Sequence, residues 1–222
     1  MKECGNMLLE HFVTLFDSDQ DTQKKEEYLD QVWDILQESY RSIGGIANIS
    51  DADELLNSEY IWKMVTKNKK VLAVQLYKTK GGGRKIFCGG CLGTPEGKSA
   101  FYKLASEDVK RLERDAWAEV SGSMEGVYIF KLGATPIPAD VSEKILNDMG
   151  KSIISVSDDG FHYTRKIGGK PYEKIMFGNV PKKYRTVDWE ETSKDYKNKY
   201  NDYIKSHPEE VEQRKNSHRN KR

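Results

Sequence analysis

The spacing of apolar residues in the first quarter of the chain is mainly helical. From about residue 26 to residue 42 they recur at steps of three and four, which predicts one amphipathic helix. The apolar cluster within residues 1–16 has similar spacing, and we expect an N-terminal helical extension there. A shorter helix is predicted at residues 51–57, with Ser50 as its N-cap.

β-Branched, aromatic and aliphatic residues dominate the next three segments. These segments are residues 60–66, 71–77 and 85–92, and turn residues lie between them at Asn68 and at the glycines 81–83. Connections this short predict an antiparallel meander.

Helix and strand patterns alternate in the second half of the chain. A helix is predicted at residues 98–114, and a short strand at 116–122 turns into a helix that ends at Gly133. Another helix is expected after Pro138. The remaining strands are predicted at 152–156, 161–167 and 172–177, the last two as a hairpin that turns at residues 168–171. An aromatic stripe at helical spacing follows, made of Trp189, Tyr196, Tyr200, Tyr203 and Ile204, and it predicts a terminal helix that docks on the body or on another chain.

Composition and charge narrow the class of protein. The 222 residues carry 36 Lys+Arg and 35 Asp+Glu, and no apolar run is long enough to span a membrane. Residues 182–222 hold 12 basic and 8 acidic side chains, so the remaining 181 residues are mildly acidic, with 24 and 27. A nucleic-acid-binding body is therefore disfavoured, and the basic tip that ends in Arg219, Lys221 and Arg222 is interpreted as a disordered tail. We expect no signal peptide, and the three cysteines indicate a reducing, intracellular compartment.

Two motifs have incomplete spacing. Cys88 and Cys91 are spaced like a zinc or dithiol pair, but no second close pair follows, so packing within a strand is favoured over a metal site. Residues 93–99 resemble a phosphate-binding loop with one residue too few between its glycines, which disfavours nucleotide hydrolysis.

Three further candidates lie near the predicted strand at 116–122. Glu119 is either a general base with a raised pKa or a charge partner of an arginine such as Arg114 or Arg165. The turn at residues 121–123 is either an anion seat at a helix start or an ordinary N-cap. His162 is either a proton shuttle or a satisfied structural histidine, and the second is favoured.

Several segments together resemble GNAT-type N-acetyltransferases, in particular the divergent ones of bacteriophages and mobile elements. They are Trp117-Ala118-Glu119-Val120-Ser121-Gly122, Lys131-Leu132-Gly133-Ala134 with Ile137-Pro138, the run from Asp158 to Arg165, Ile167-Gly168-Gly169, and Lys174-Ile175-Met176-Phe177-Gly178. The resemblance covers roughly residues 31–178. It implies an α+β (α/β/α) fold, with a mixed, mostly antiparallel sheet flanked by helices, an extra C-terminal helix and a flexible tail. The expected divisions are a helical extension at 1–25, a GNAT-like domain at 26–180, an amphipathic helix at 181–206 and a disordered tail at 207–222.

The resemblance also implies acetyl-CoA as cofactor, no metal, and roles for eight residues. In those roles Glu119 is the base and Tyr163 or Tyr128 the acid, while Val120 and Ser121 contact the pantetheine arm and Gly122, Ser123 and Met124 lie at the pyrophosphate. The expected reaction moves an acetyl group to a primary amine.

The turn at residues 120–126 has glycines but no basic residue at its start, and it places Glu125 in the first helical turn. The alternative function is therefore an inactive GNAT-fold protein, associated with a phage or virion, that attaches through its C-terminal helix and basic tip. A nucleic-acid-associated module that uses only the tip is a third reading. We expect a cytoplasmic protein without a membrane partner, in a host cell if phage-encoded, and the aromatic helix leaves a homo- or hetero-oligomer open.

Overall fold

The computed structural model describes residues 12–16, 22–41, 49–80, 83–111, 116–120 and 123–216, and it divides the chain into two compact units. The first unit extends to Leu76 and includes Cys88–Leu104, and the second comprises Tyr77–Phe87 and the chain from Ala105 onward. The helices and strands that contribute to the first unit are β1 (Phe12–Phe16), α1 (Thr22–Tyr40), α2 (Ala52–Asn57), β2 (Ile61–Lys67), the start of β3 (Lys70–Lys80), the end of β4 (Gly83–Cys91) and most of α3 (Pro95–Arg111).

The predicted meander is present in the first unit. β2 and β3 are joined by Asn68 and Lys69, both with positive φ, which is the two-residue turn that fits the twist of a hairpin. α1 buries Val32 and Leu36 completely, as its spacing predicts. Val65, Leu72 and Leu104 belong to one core cluster, so α3 covers part of the sheet formed by β2 and β3.

Two predictions in this unit are wrong. The helical spacing predicted for residues 1–16 fails at β1, which pairs antiparallel with β2 from Phe12↔Thr66 to Phe16↔Trp62. A run of consecutive apolar residues suits both periods, and pairing with a distant strand decides between them. At α2 the N-cap is Asp51, whose carboxylate accepts from the Glu54 N–H at 2.7 Å, whereas Ser50 bonds to the Glu54 side chain.

The second unit contains the longer run of helices and strands. Besides the end of β3 and the start of β4, they are β5 (Ala116–Val120), α4 (Ser123–Glu125), a π-helix (Gly126–Lys131), β6 (Pro136–Ile137), α5 (Ala139–Asn147), β7 (Ser155–Val156), β8 (Tyr163–Ile167), β9 (Lys170–Gly178), a 3-10 turn (Lys182–Tyr184), α6 (Trp189–Ser206) and α7 (Pro208–Asn216). Its strands neighbour one another in the order β4, β5, β9, β8, β7, with β6 also on β9. Only the β4–β5 pair among the described ladders of this unit is parallel.

The predicted hairpin turns at Gly168 and Gly169, both with positive φ. The helix predicted before Gly133 is only one α-turn that widens into the π-helix, in which the Leu132 N–H reaches the Val127 carbonyl. The tail predicted as disordered from residue 207 is helical as far as Asn216. Pro208 occupies the first position of α7 and two glutamates fill its first turn, and both features favour a helix start.

The fold class is therefore confirmed as α+β, with a mixed, mostly antiparallel sheet, flanking helices and a C-terminal helix. In the second unit α5 packs on one face of the sheet, where Trp117, Tyr163 and Met176 share a core cluster with Ile145 and Leu146. That face carries the candidate site.

Candidate functional site

Glu119 is held by a cluster of charged and polar groups on the α5 face of the sheet. Two hydrogen bonds from Arg165 reach it, one from Nε to Oε1 and one from Nη2 to Oε2 at 2.6 Å. Tyr163 donates to Oε1 at 3.2 Å, and the Lys85 amine lies 3.7 Å from Oε2. We call Glu119, Arg165, Tyr163 and Lys85 the glutamate cluster.

The charges of this cluster set the protonation of Glu119. Burial alone would raise the pKa of Glu119, but the Arg165 hydrogen bonds and the positive charges of Lys85, Arg165 and Lys174 bring it below its ordinary value. The pKa of Tyr163 is raised well above its ordinary value by burial and by the adjacent carboxylate. At neutral pH the carboxylate is therefore ionised and the phenol protonated. Of the two alternatives for Glu119, the geometry agrees with a charge partner of Arg165.

The three predicted catalytic side chains do not share one face of the sheet. Glu119 pairs with Met176 and Tyr163 pairs with Lys174, and these two β9 residues point to the same side. Tyr128 instead stacks on Phe177, with ring centroids 4.5 Å apart, on the opposite side. The structure thus brings Glu119 and Tyr163 together and keeps Tyr128 apart from them.

The predicted cofactor residues follow the end of β5. Val120 is half-buried and pairs with Ile175 of β9, and Met124 is half-buried in α4. Ser121 and Gly122 lie outside the described residues, as does the side chain of Ser123. α4 has three residues and continues directly into the π-helix, so the helix that starts at this turn extends from Ser123 to Lys131.

The ladder between β4 and β5 is short. It pairs Arg84, Lys85 and Ile86 with the first three residues of β5 and ends at Ile86↔Ala118, whereas β5 continues to Val120. Among the described residues of the second unit, the end of β5 therefore has its ladder partner on the β9 side only.

A second charged cluster surrounds His162 and agrees with the favoured interpretation of a satisfied histidine. His162 Nδ1 contacts the Asp159 carboxylate, its Nε2 lies 3.1 Å from Glu125 Oε2, and the Tyr200 hydroxyl donates to Glu125 Oε1. We call Asp159, His162, Glu125 and Tyr200 the histidine cluster. Burial lowers the pKa of His162, but the two carboxylates outweigh it and raise the pKa to about 9. The imidazolium therefore offsets part of the negative charge of Glu125, the acid in the first helical turn after β5.

Tyr200 also shows where the aromatic stripe of α6 packs. It is 1% exposed and lies against Phe161, while Trp189 and Tyr196 pack against the core cluster of α5. The stripe thus docks α6 on its own unit, one of the two placements that the spacing predicts. The tip with Arg219, Lys221 and Arg222 lies outside the described residues.

The two incomplete motifs have packing roles. The Cys88 thiol is buried, which raises its pKa and keeps it protonated, and a side chain at Gly90 would collide with Ser39 of α1. Thr94 caps α3 by accepting from the Gly97 N–H at 3.1 Å, and a side chain at Gly97 would strike the Leu92 carbonyl. Within the described part of the chain no group of three potential metal ligands is found.

A pocket of about 120 Å³ opens on the α5 face of the second unit. Its lining residues are Trp117, Ile145, Asp148, Met149, Pro181, Lys183 and Tyr184. Asp148 bonds to Lys183 at 2.6 Å and to Tyr184 at 2.7 Å, so the acid of this pocket is compensated. The described helices include none that is long and apolar enough to cross a membrane.

No protein-family model and no curated protein matches the chain. Solved structures with a similar fold include the ribosomal-protein-S18-alanine N-acetyltransferase from Escherichia coli, at 13% identity and TM-score 0.35, covering 76% of this chain and 95% of that one. A second is a probable acetyltransferase from Staphylococcus epidermidis ATCC 12228, at 10% identity and TM-score 0.43, covering 75% of this chain and 96% of that one. A third is the aminoglycoside 6'-N-acetyltransferase from Enterococcus faecium, at 12% identity and TM-score 0.44, covering 77% of this chain and 98% of that one. At TM-scores below 0.5 these similarities assign neither family nor activity, and they lend a phage or virion setting no support.

Proposed function

We propose that this chain is an acyltransferase that moves an acetyl group from acetyl-CoA to a primary amine. The observation that carries the proposal is the parallel β4–β5 ladder, which ends at Ala118 while β5 continues to Val120. The edge of a strand that extends beyond its ladder offers backbone N–H and C=O groups to an extended ligand. The pantetheine arm of CoA is a linear chain with amide groups and suits such an edge.

The chemistry needs little beyond positioning. The amine nitrogen bonds to the thioester carbonyl carbon, the carbon–sulfur bond breaks, and one proton passes from the nitrogen to the departing sulfur. Holding amine and thioester together supplies most of the acceleration, because it makes the step effectively unimolecular. A backbone N–H near Val120 or Ser121 would stabilise the carbonyl oxygen as charge develops on it.

Side chains would assist at the two ends of the cofactor. Gly122, Ser123 and Met124 would lie along the pyrophosphate, as the resemblance implies. Glu119 is the base in this proposal, although Arg165 competes for its lone pairs. Of the two acid candidates the proposal favours Tyr163, which contacts Glu119 and stays protonated, over Tyr128 on the other face.

Acetyl-CoA binding and thiol release test the function. Millimolar acetyl-CoA should raise the melting temperature, because a ligand of the folded state alone stabilises it. Incubation with a panel of primary amines should release free CoA thiol in step with acetylated product. A chain that shows neither the shift nor the release is not an acyltransferase of this kind.

Charge reversal at Met124 tests where the cofactor lies. Met124→Glu should weaken CoA binding at least tenfold by repelling the pyrophosphate, whereas Met124→Gln, of equal shape, should bind nearly as the wild type does. Val156→Glu on β7 adds the same charge at a half-exposed position away from this turn. Equal binding by all three variants would move the cofactor away from α4.

Glu119→Gln tests the base. Loss of transfer with acetyl-CoA binding retained is the expected result, measured on protein that near-ultraviolet circular dichroism shows to be folded. Full activity in this variant would remove Glu119 from the mechanism and leave positioning alone.

A further inference from the structure

Lys85 carries a buried primary amine beside the glutamate that the proposed function uses as base. The amine nitrogen lies 3.7 Å from Glu119 Oε2 and 5.1 Å from the centroid of the Trp117 ring, and Lys85 is 8% exposed. The β4–β5 ladder fixes this arrangement, because it pairs Lys85 with Trp117, and Glu119 follows on the same face of β5. An amine is thus held next to the strand end at which the proposed function places the thioester.

Burial also makes this amine a better nucleophile. An amine attacks a carbonyl carbon only in its neutral form, and an ordinary lysine, with a pKa of about 10.4, is almost entirely protonated at pH 8. Burial lowers the pKa of Lys85 to about 8, against the raising effect of Glu119 and with further lowering by Lys151 and Arg165. Roughly half of the Lys85 amines are therefore neutral at that pH.

The Glu119 carboxylate has room for the proton that an attack by this amine releases. Oε1 accepts from Arg165 Nε and from the Tyr163 hydroxyl, whereas Oε2 accepts one hydrogen bond among the described residues, from Arg165 Nη2. A carboxylate oxygen has two acceptor sites, so one of those on Oε2 remains. This is the oxygen that lies 3.7 Å from the Lys85 amine.

Trp117 carries a hydrogen-bond donor without a partner beside the same amine. It is 1% exposed, and within the described part of the chain nothing accepts from its Nε1–H. A buried indole N–H normally finds an acceptor. An acetyl group on Lys85 would bring a carbonyl oxygen next to this ring. It would also replace a buried ammonium by a neutral amide, which costs less free energy to bury.

We propose that the chain acetylates its own Lys85, with the acetyl-CoA that it binds as the donor. This inference rests on the proposed function, because the donor is the thioester held at the end of β5. The Lys85 nitrogen bonds to the thioester carbonyl carbon, and the carbon–sulfur bond breaks. One proton leaves the nitrogen through Glu119 Oε2 and ends on the departing sulfur, so CoA is released as its thiol. Donor and amine belong to one molecule, which makes the step unimolecular.

Two other lysines of the chain serve as internal controls. Lys25 of the first unit is 2% exposed and lies 5.2 Å from the centroid of the Trp62 ring, but its amine donates to the Tyr60 carbonyl at 2.7 Å. It matches the burial and the ring of Lys85 without the neighbouring base of the proposed site. Lys166 of β8 is exposed and reports reaction with acetyl-CoA from solution.

Mass spectrometry of the whole chain after incubation with acetyl-CoA, in the absence of an acceptor amine, tests the proposal. Lys85 should be acetylated at least tenfold faster than Lys25 and Lys166, with one CoA thiol released per acetyl group. The first-order rate constant should stay the same over a tenfold range of protein concentration. Acetyl phosphate, a donor without the CoA portion, should show no preference for Lys85. An unmodified Lys85, a rate that rises with protein concentration, or an equal preference with acetyl phosphate would overturn the proposal.

A matched pair of variants locates the reaction. Without an acceptor amine, Lys85→Arg should release no CoA thiol above background, whereas Lys166→Arg should release it as the wild type does. Continued release by folded Lys85→Arg would refute the site, and if this variant does not fold, the acetylation map of the wild type decides. A wild-type chain that acetylates added amines but leaves Lys85 unmodified overturns this inference alone. A chain whose melting temperature does not respond to acetyl-CoA overturns the proposed function as well.

Discussion

The histidine cluster and the glutamate cluster belong to the same unit and are both buried, but their charges balance differently. In the first, one imidazolium lies between two carboxylates, and the hydroxyl of Tyr200 completes the hydrogen bonding of Glu125. In the second, one carboxylate faces several cations, since Arg165 donates to both of its oxygens and the Lys85 amine lies 3.7 Å from Oε2.

One imidazolium against two carboxylates leaves the histidine cluster with an excess of negative charge, whereas Arg165 and Lys85 against Glu119 leave the glutamate cluster with an excess of positive charge. A buried charged group that meets its partners within the chain stabilises one arrangement of the elements that carry it. The histidine cluster does this for the loop before β8, α4 and α6. A buried excess of charge of either sign costs stability unless hydrogen bonds or further charges offset it.

The largest expected effect comes from removing the acid of the glutamate cluster. Glu119→Gln leaves Arg165 and Lys85 buried without a counter-charge, and we expect the free energy of unfolding to fall by about 4 kcal/mol, as for a broken buried ion pair. Urea denaturation at pH 7 measures it. Glu190→Gln, which removes an exposed partner of Lys194, is the control and should leave stability unchanged. A loss below about 1 kcal/mol for Glu119→Gln would show that the cluster is solvated.

Removing the cation of the histidine cluster should cost somewhat less. His162→Gln leaves the carboxylates of Asp159 and Glu125 without their shared cation, and protonation of one acid limits the loss to about 3 kcal/mol at pH 7. The backbone N–H groups of Phe161 and His162 still donate to Asp159, each at 2.8 Å. The free energy of unfolding in urea should therefore fall, while m, its dependence on urea concentration, stays unchanged. A variant as stable as the wild type contradicts the ion pairs of the histidine cluster.

The two clusters should also show opposite pH dependence. The pKa of His162 is raised from 6.5 to about 9, so its contribution is fully present below pH 6.5 and is lost as pH rises through 9. The pKa of Lys85 is lowered from 10.5 to about 8, so its protonated form costs stability that is regained as pH rises from 8 to 10.5. Each slope is at most about 1.4 kcal/mol per pH unit.

Difference curves against the wild type separate these slopes. The stability advantage of the wild type over His162→Gln should shrink between pH 6.5 and 9. Lys85→Gln should lose its own advantage over the wild type between pH 8 and 10.5. Parallel curves in either comparison would mean that the corresponding group titrates as it does in the unfolded chain.

The spacing of residues predicted much of the fold, because helices, strands and tight turns depend mainly on residues that are close together along the chain. The steps within α1, the strands of the meander and the two glycines of the β8–β9 turn are signals of this kind. β1 was missed because its pairing with β2 spans about fifty residues. The π-helix was missed because no spacing rule marks a hydrogen bond to the fifth preceding residue.

The sequence could indicate a contact of the site only where alternation along a strand shows which way a side chain points. Arg165 stood among the alternatives for Glu119 because alternation along a strand turns this acid either to solvent or to an arginine. Lys85, Trp117 and Lys151 come from different parts of the chain and meet only through the β4–β5 register and the chain that follows α5. Glu125, His162 and Tyr200 likewise meet only when α6 docks, so spacing along the chain does not indicate that they contact one another.

The smallest expected effect concerns a single hydroxyl of the histidine cluster, that of Tyr200. Tyr200→Phe keeps the ring against Phe161 but removes the donor to Glu125, and we expect a loss of about 1 kcal/mol, as for one buried hydrogen bond. Tyr196→Phe on the same helix is the matched control, because that ring is half-buried and packs on the α5 core. Thermal denaturation and hydrogen exchange of α6 amides measure the two variants. If Tyr200→Phe is as stable as the wild type, the hydroxyl is dispensable and the imidazolium alone satisfies Glu125.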